Sequence, residues 1–262
     1  MKLRRLSEPV ATKPKRPASY DLNAAGRRRD LAIKIGLTAI VVIFAVVLVG
    51  YIVISHQKKG PDGVSRAVRL TSSKLVTKDG SHDPKAVVSF YEDFLCPGCG
   101  NFERTFGPTV SKLIDTGAIA VDYYMVGMLD SPRNKNYSSR AGAAAYCVAN
   151  ESIEAFPRFH TALFSKELQP SETGSTFPDD ARLIELAREA GAAGKVPDCV
   201  KSGKYVPTVH GMPSATGIHA TPTIRINGQD YESSTPDALV AKIKEIVGNV
   251  PGLDTAATQP AS

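Results

Sequence analysis

The sequence predicts an α/β domain, a mixed sheet with helices packed on it and a helical insertion in its middle, held behind one N-terminal transmembrane helix. Three observations predict it. A twenty-residue run without a charge, Ile35 to Ile54, precedes every other stretch with a regular pattern. Beyond it, β-prone runs and stretches of helical spacing follow in the order β, α, β, several helices, β-hairpin, α. A C-x-x-C, Cys96-Pro97-Gly98-Cys99, falls where the first strand gives way to the first helix.

The tail comes first. Residues 1–34 hold ten Lys or Arg against Glu8, Asp21 and Asp30, a charge of +7, and read as a disordered basic segment. The 262-residue chain carries +6, so the other 228 residues sum to −1. A protein that grips phosphates needs its positive charge on the folded surface, so no nucleic-acid partner is expected. Ile35–Ile54 reads IGLTAIVVIFAVVLVGYIVI, which as a helix spans roughly 30 Å, the thickness of a bilayer core. A buried globular helix would show a polar face. A cleaved signal peptide would be shorter and end in a small-x-small site, whereas Ser55-His56-Gln57-Lys58-Lys59 follows. An uncleaved anchor is expected. Arg27-Arg28-Arg29 favours a cytoplasmic N-terminus, which makes this a single-pass cell-membrane protein whose domain is extracytoplasmic. Residues 55–65 contain Lys58, Lys59, Gly60, Pro61 and Gly63 and read as a linker.

One domain is expected over 66–248. Val87-Val88-Ser89-Phe90-Tyr91 is a buried strand. From Gly98 to Thr116, Phe102, Phe106, Val110, Leu113 and Ile114 recur on one helical side, and Gly117 fits the stop. Ile119 to Met125 is the next strand. An insertion over about 137–216 follows, with helical patterns at Ser138–Asn150, Ser152–Ser165, Asp180–Gly191 and Pro207–Ala215, and a Pro/Ser/Thr-rich loop at 169–179. Thr223-Ile224-Arg225-Ile226 is a strand, Asn227-Gly228 is a hairpin turn, and Tyr231 starts the return strand. Thr235-Pro236 supplies an N-cap and first-turn proline for a last helix, Asp237–Val247. Residues 249–262 read as a flexible tail.

All four cysteines follow residue 95. Under this topology they face an oxidising compartment. A helix N-terminus presents free N–H groups and about half a positive charge, which stabilises a thiolate. Cys96 therefore becomes the better thiolate and leaving group, with Cys99 one turn behind it. Pro97 at the helix start costs no hydrogen bond. Half of a zinc site is the rival reading of a C-x-x-C. Structural zinc needs a second close pair, and Cys147 and Cys199 are far apart, so no metal is expected. Cys147 and Cys199 fit a structural disulfide worth roughly 2–4 kcal/mol, or two buried free thiols.

The strand ending in Glu92-Asp93-Phe94-Leu95 before the C-x-x-C, the helical insertion, and Ala220-Thr221-Pro222-Thr223 leading a strand together resemble the DsbA-like branch of the thioredoxin superfamily, and in particular its membrane-anchored actinobacterial members. The resemblance covers about residues 66–248. It implies a thioredoxin-like fold and a protein disulfide oxidoreductase without a cofactor beyond its cysteine pair. Cys96 would be the nucleophile and Cys99 the resolving thiol, with Pro97 and Gly98 forming the active-site loop. Pro222 would be cis and face the sulfurs, Thr221 would offer backbone groups to substrate, and His219 would stand near it. Implied partners are reduced secreted or cell-envelope proteins, a membrane oxidase resembling vitamin K epoxide reductase or DsbB, and the membrane itself through Ile35–Ile54. A reductase or isomerase using the same site, and a non-enzymatic peptide-binding or chaperone module, are the rival readings. The chain departs from the family pattern at Gly98, where the best-known members have His, and at Phe90, where many thioredoxins have a buried acid. Asp93 or Glu92 would stand in as a proton relay, although Asp93 reads first as a surface or loop carboxylate.

Overall fold

The computed structural model describes residues 67–232 and 234–253. The expected tail, anchor and linker lie outside the described residues. Among the described residues, no helix is long and apolar enough to cross a membrane.

Five strands form one sheet in the order β1 (Val68–Leu70), β3 (Ala120–Met125), β2 (Val87–Glu92), β4 (Thr223–Ile226) and β5 (Gln229–Asp230). β2 runs parallel to β3 and antiparallel to β4, and both edge strands are antiparallel to their neighbours. A parallel pair needs a crossover, here α1 (Pro97–Asp115). β2 is central and buried from Val88 through Glu92, which is why it reads as an apolar run rather than an alternation. The Phe90 ring lies 5.3 Å from Phe102 on α1 and 5.4 Å from Tyr123 on β3. Phe102, Phe106, Val110 and Leu113 form the buried face of α1. The chain leaves α1 at Gly117, whose φ of 78° suits glycine and where a Cβ would strike the Lys74 backbone.

The insertion between β3 and β4 holds α2 (Tyr137–Glu151), α3 (Phe156–Leu163), α4 (Asp180–Glu189), α5 (Val196–Lys201) and α6 (Val206–Thr216). Its hub is α2, whose small residues Ala141 to Ala145 let neighbours approach. A Cβ at Gly142 would stand 2.7 Å from the Val209 side chain on α6 and 3.0 Å from Met125 on β3. A disulfide joins Cys147 on α2 to Cys199 on α5. The last helix, α7 (Pro236–Val247), is capped by the Thr235 hydroxyl accepting from the Ala238 N–H at 3.1 Å.

Several expectations need correction. β1 and α5 were not anticipated. β1 is three residues long with Arg69 at its centre, and what holds it is Arg69 donating two hydrogen bonds to Asp122 on β3, each 2.7 Å. The helix expected over Ser152–Ser165 is shorter, Phe156–Leu163. Ser152 is extended, its hydroxyl accepts from the Ala155 N–H, and Pro157 is tolerated only in a first turn. The return strand is Gln229–Asp230, so Tyr231 follows it; its N–H still reaches the Ile224 carbonyl. Asn227 and Gly228 both have positive φ, as a tight hairpin turn demands. The folded part does not stop at 248: Val250 and Leu253 are buried in the core.

Candidate active site

Cys96 is the N-cap of α1. Pro97 takes the first helical position and no acidic residue stands in the first turn, so nothing competes for the free N–H groups there. Cys96 keeps 8% of its surface exposed and Cys99 none. Both are free thiols. Pro97 and Gly98 are exposed beside them. The Thr221–Pro222 bond is cis. The Thr221 carbonyl lies 3.4 Å from Cys96 Sγ, across 125 residues of chain. A Cβ at Gly98 would lie 3.3 Å from Pro222 Cδ and 3.5 Å from Cys96 Sγ, so glycine at this position lets the proline stand against the sulfur. Cys96, Gly98, Cys99, Thr221 and Pro222 thus form one group. His219 is exposed two residues away and is not drawn into it by any described contact.

The two thiols are pushed in opposite directions. Cys96 falls to about 5, because Cys99 donates to it and because Thr221 and the N–H groups of Cys99 and Gly98 stabilise its anion against the opposing effect of burial. Cys99 rises far above the ordinary thiol range, through burial first and then through its hydrogen bond to Cys96 and the nearby Glu92 charge. At neutral pH the pair holds one proton, on Cys99, and Cys96 carries the charge.

The carboxylates near the site are buried. Asp93 lies in the loop after β2, as read, but is fully buried there and not at the surface. It accepts from the Leu95 N–H at 2.8 Å and the Leu129 N–H at 2.9 Å, tying the loop before Cys96 to the chain after β3. Burial lifts it to about 6. Glu92, at the end of β2, is lifted to about 8, again by burial first. Its Oε2 lies 3.0 Å from Nε2 of His160 on α3. Glu103 on α1 is also raised by burial, and its Oε2 stands 3.8 Å from His160 Nδ1.

One positioning residue had no sequence signal. Gln169, in the loop after α3, donates from Nε2 to the Cys96 carbonyl at 2.9 Å and to the Phe94 carbonyl at 3.4 Å. Its Oε1 accepts from Arg104 on α1, which also donates to the Phe164 carbonyl at 2.7 Å. A Cβ at Gly100 would collide with this Gln169 side chain. Cys147 and Cys199 are bonded to each other, so their sulfurs are not available to complete a zinc site with the C-x-x-C.

A protein-family model described as Thioredoxin matches residues 76–245. The solved structure of reduced DsbA from Mycobacterium tuberculosis is 70% identical, with 74% of this chain and 98% of that one covered at a TM-score of 0.72. The reduced form of the disulfide bond oxidoreductase DsbG from the same organism is also 70% identical, covering 76% of this chain and 96% of that one at a TM-score of 0.73. Among curated proteins, the serine/threonine-protein kinase PknE of Mycobacterium tuberculosis is 34% identical over 126 residues, which is 47% of this chain and 22% of that protein. The chain therefore spans 22% of the length of the curated relatives it matches. Fold, sulfur pair and solved relatives define a protein thiol–disulfide oxidoreductase. The chain belongs to the thioredoxin superfamily, in its DsbA-like branch.

Proposed function

We propose that the chain is a membrane-anchored, extracytoplasmic oxidase that introduces disulfides into exported proteins, with Cys96 as nucleophile and Cys99 as resolving thiol. The observation that carries the reading is the placement of two free thiols at the start of α1, Cys96 as its N-cap beside the Thr221 carbonyl and Cys99 fully buried one turn behind, an arrangement that lowers Cys96 to about 5 and pushes Cys99 up. A thiolate stabilised to this extent is a good leaving group, and its stability favours the reduced enzyme, which makes the disulfide form oxidising.

The exchange balances as follows. A substrate thiolate attacks Cys96 Sγ of the oxidised enzyme, the Cys96–Cys99 bond breaks, and Cys99 leaves with the electron pair and takes up a proton. A mixed disulfide now joins substrate to Cys96. A second substrate thiolate attacks the substrate sulfur of that bond and Cys96 leaves as its stabilised thiolate. The substrate has lost two electrons and two thiol protons, and the enzyme holds the electrons as a thiolate and a thiol. Glu92, raised to about 8, is protonated at neutral pH and is the group suited to relay the proton that Cys99 takes up. Thr221 and Pro222 present backbone to an extended substrate segment beside Cys96, and His219 flanks that approach. No cofactor beyond the cysteine pair enters these steps.

The location rests on the +7 tail beside the uncharged run Ile35–Ile54, and on a Cys147–Cys199 disulfide that suits an oxidising compartment. The electrons would pass to a membrane oxidase resembling vitamin K epoxide reductase or DsbB, and an anchor would raise the effective concentration of the two partners. The test is the equilibrium of Cys96–Cys99 in graded glutathione buffers. A potential well above the roughly −270 mV of thioredoxin supports the oxidase. A value at or below it would turn the reading to a reductase, and a pair that never titrates would turn it to a binding module. Cys96→Ser should abolish oxidative refolding of a reduced, denatured protein; activity that survives it would sink the assignment of Cys96.

A further inference from the structure

Three buried ionisable side chains from three elements meet in the domain core. They are Glu92 at the end of β2, Glu103 on α1 one turn beyond Cys99, and His160 on α3, with exposures of 0%, 8% and 2%. One donor atom from each lies within 4.8 Å of the others. His160 stands between the two carboxyl groups, its Nε2 3.0 Å from Glu92 and its Nδ1 3.8 Å from Glu103, so an ion takes one ring nitrogen and the carboxylate facing the other must swing to reach it. The rings of Phe94, Tyr123, Phe156 and Phe164 surround the imidazole, each centroid within 5.5 Å of its own. In this apolar shell Glu92 and Glu103 share a side-chain hydrogen bond, yet two of their oxygens are left over. Glu92 Oε1 and Glu103 Oε1 are both buried and accept no hydrogen bond from the protein. Buried oxygens of that kind ask for a partner. A cavity of about 750 Å³ walled by α1, α3 and β1 reaches the cluster, its lining including Glu103, Tyr123 and His160.

We propose that this cluster is a binding site for one divalent transition-metal cation of the zinc class. The donor set is one imidazole nitrogen and two carboxylate oxygens. An incoming dication displaces the protons that burial keeps on Glu92 and Glu103, and the two carboxylates so formed match its charge. The imidazole disfavours calcium and magnesium, which take oxygen shells, and suits zinc or manganese. Bonds of about 2.0–2.2 Å hold tetrahedral donor atoms roughly 3.5 Å apart, so closing the present spread takes side-chain shifts of about 1 Å. Three protein ligands leave one position open, and the cavity gives it a water supply and the ion an entry path. An apolar shell of rings is the surrounding that strengthens such a site by excluding competing water. The site needs no sulfur but shares Glu92 with the proton relay to Cys99, so cation binding is read by calorimetry and diffraction and not by thiol exchange.

The test uses the full chain with Cys96 and Cys99 held as a disulfide, so that thiolates take no metal, after stripping with a chelator. Zinc is titrated by calorimetry, and crystals soaked in zinc are measured at the zinc absorption edge. The expected result is one ion per chain, an anomalous peak among Glu92, Glu103 and His160, and at least a tenfold loss of affinity in Glu103→Gln. His82→Ala, which removes an exposed imidazole, should leave the affinity unchanged. Zinc that binds Glu103→Gln as tightly as the unaltered chain, or an anomalous map with no peak at the cluster, would overturn the proposal. The map decides alone if the variant does not fold.

Discussion

The Gln169 amide holds the Cys96 carbonyl at 2.9 Å, and through this bond the helical insertion grips the loop that carries the reactive sulfur. The same side chain reaches the Phe94 carbonyl and is held by Arg104. Gln169→Ala should lower the stability of the domain by about 1 kcal/mol, the net worth of such a bond, and slow thiol exchange by freeing the loop. Urea unfolding and the rate of reaction with a model disulfide measure the two effects. Unchanged exchange with reduced stability would confine Gln169 to a structural role.

The Cys96 thiolate should titrate with a midpoint near 5, read by its ultraviolet absorbance. Cys99→Ala should raise that midpoint, since the Cys99 hydrogen bond is the largest stabiliser of the anion. A lowered pKa adds stability above the unfolded value and loses it as pH falls through the folded one. The oxidised chain has no such group. The stability of the reduced form relative to the oxidised form should therefore rise with pH between about 5 and about 8, and denaturation of the two forms side by side checks the sign.

Glu92 has the opposite linkage. Its pKa is raised to about 8, so its contribution is fully present below the unfolded value near 4.3 and is lost as pH climbs to about 8. In the oxidised chain, Glu92→Gln should remove that decline. The variant should gain on the unaltered chain as pH rises through this window, by about 1.4 kcal/mol per pH unit and on the order of 5 kcal/mol at its upper end. Thermal unfolding across the window measures it, and two parallel pH profiles would refute the buried, neutral carboxyl.

The Cys147–Cys199 bond closes a separation of 52 residues. Replacing both by Ser should cost about 2–4 kcal/mol of stability while leaving thiol exchange at Cys96 in place. Chemical denaturation and an insulin-reduction assay separate the two outcomes, and a variant that loses exchange while fully folded would tie the insertion disulfide to the chemistry.

The parts of the fold that could be read from sequence were those with a local cause. β2 was legible because a central strand buried on both faces is a continuous apolar run. α1 was legible because Phe102, Phe106, Val110 and Leu113 repeat at helical spacing, and α7 because Thr235 and Pro236 mark its start. β1 was not, because three residues carry no periodicity and their strand pairing is with Val121, Asp122 and Tyr123, 53 residues away at its centre, where Asp122 also holds Arg69. Within the site, Cys96 and Cys99 announced themselves by spacing and by their place at a strand-to-helix junction. Gln169 was hidden because its amide acts on a carbonyl 73 residues back, and a glutamine in a polar loop gives no sign of this. Asp93 misled because acids are rarely buried; here two backbone N–H groups take the place of water. Glu92, Glu103 and His160 come from three separate elements, and no periodicity links them.

The pairing pattern of the sulfurs also bears on how the molecule is made. Cys96, Cys99, Cys147 and Cys199 leave the ribosome in that order, and Cys96 appears 125 residues ahead of the Thr221 carbonyl that later flanks it. For those 125 residues of synthesis the reactive thiol is therefore without this neighbour. Yet the Cys147–Cys199 bond and a Cys96–Cys99 bond each join consecutive cysteines and never interleave. A chain that links each new cysteine to the one just before it, two by two, arrives at the native connectivity without reshuffling. The order of the cysteines thus spares the chain any need for a partner that reshuffles its bonds.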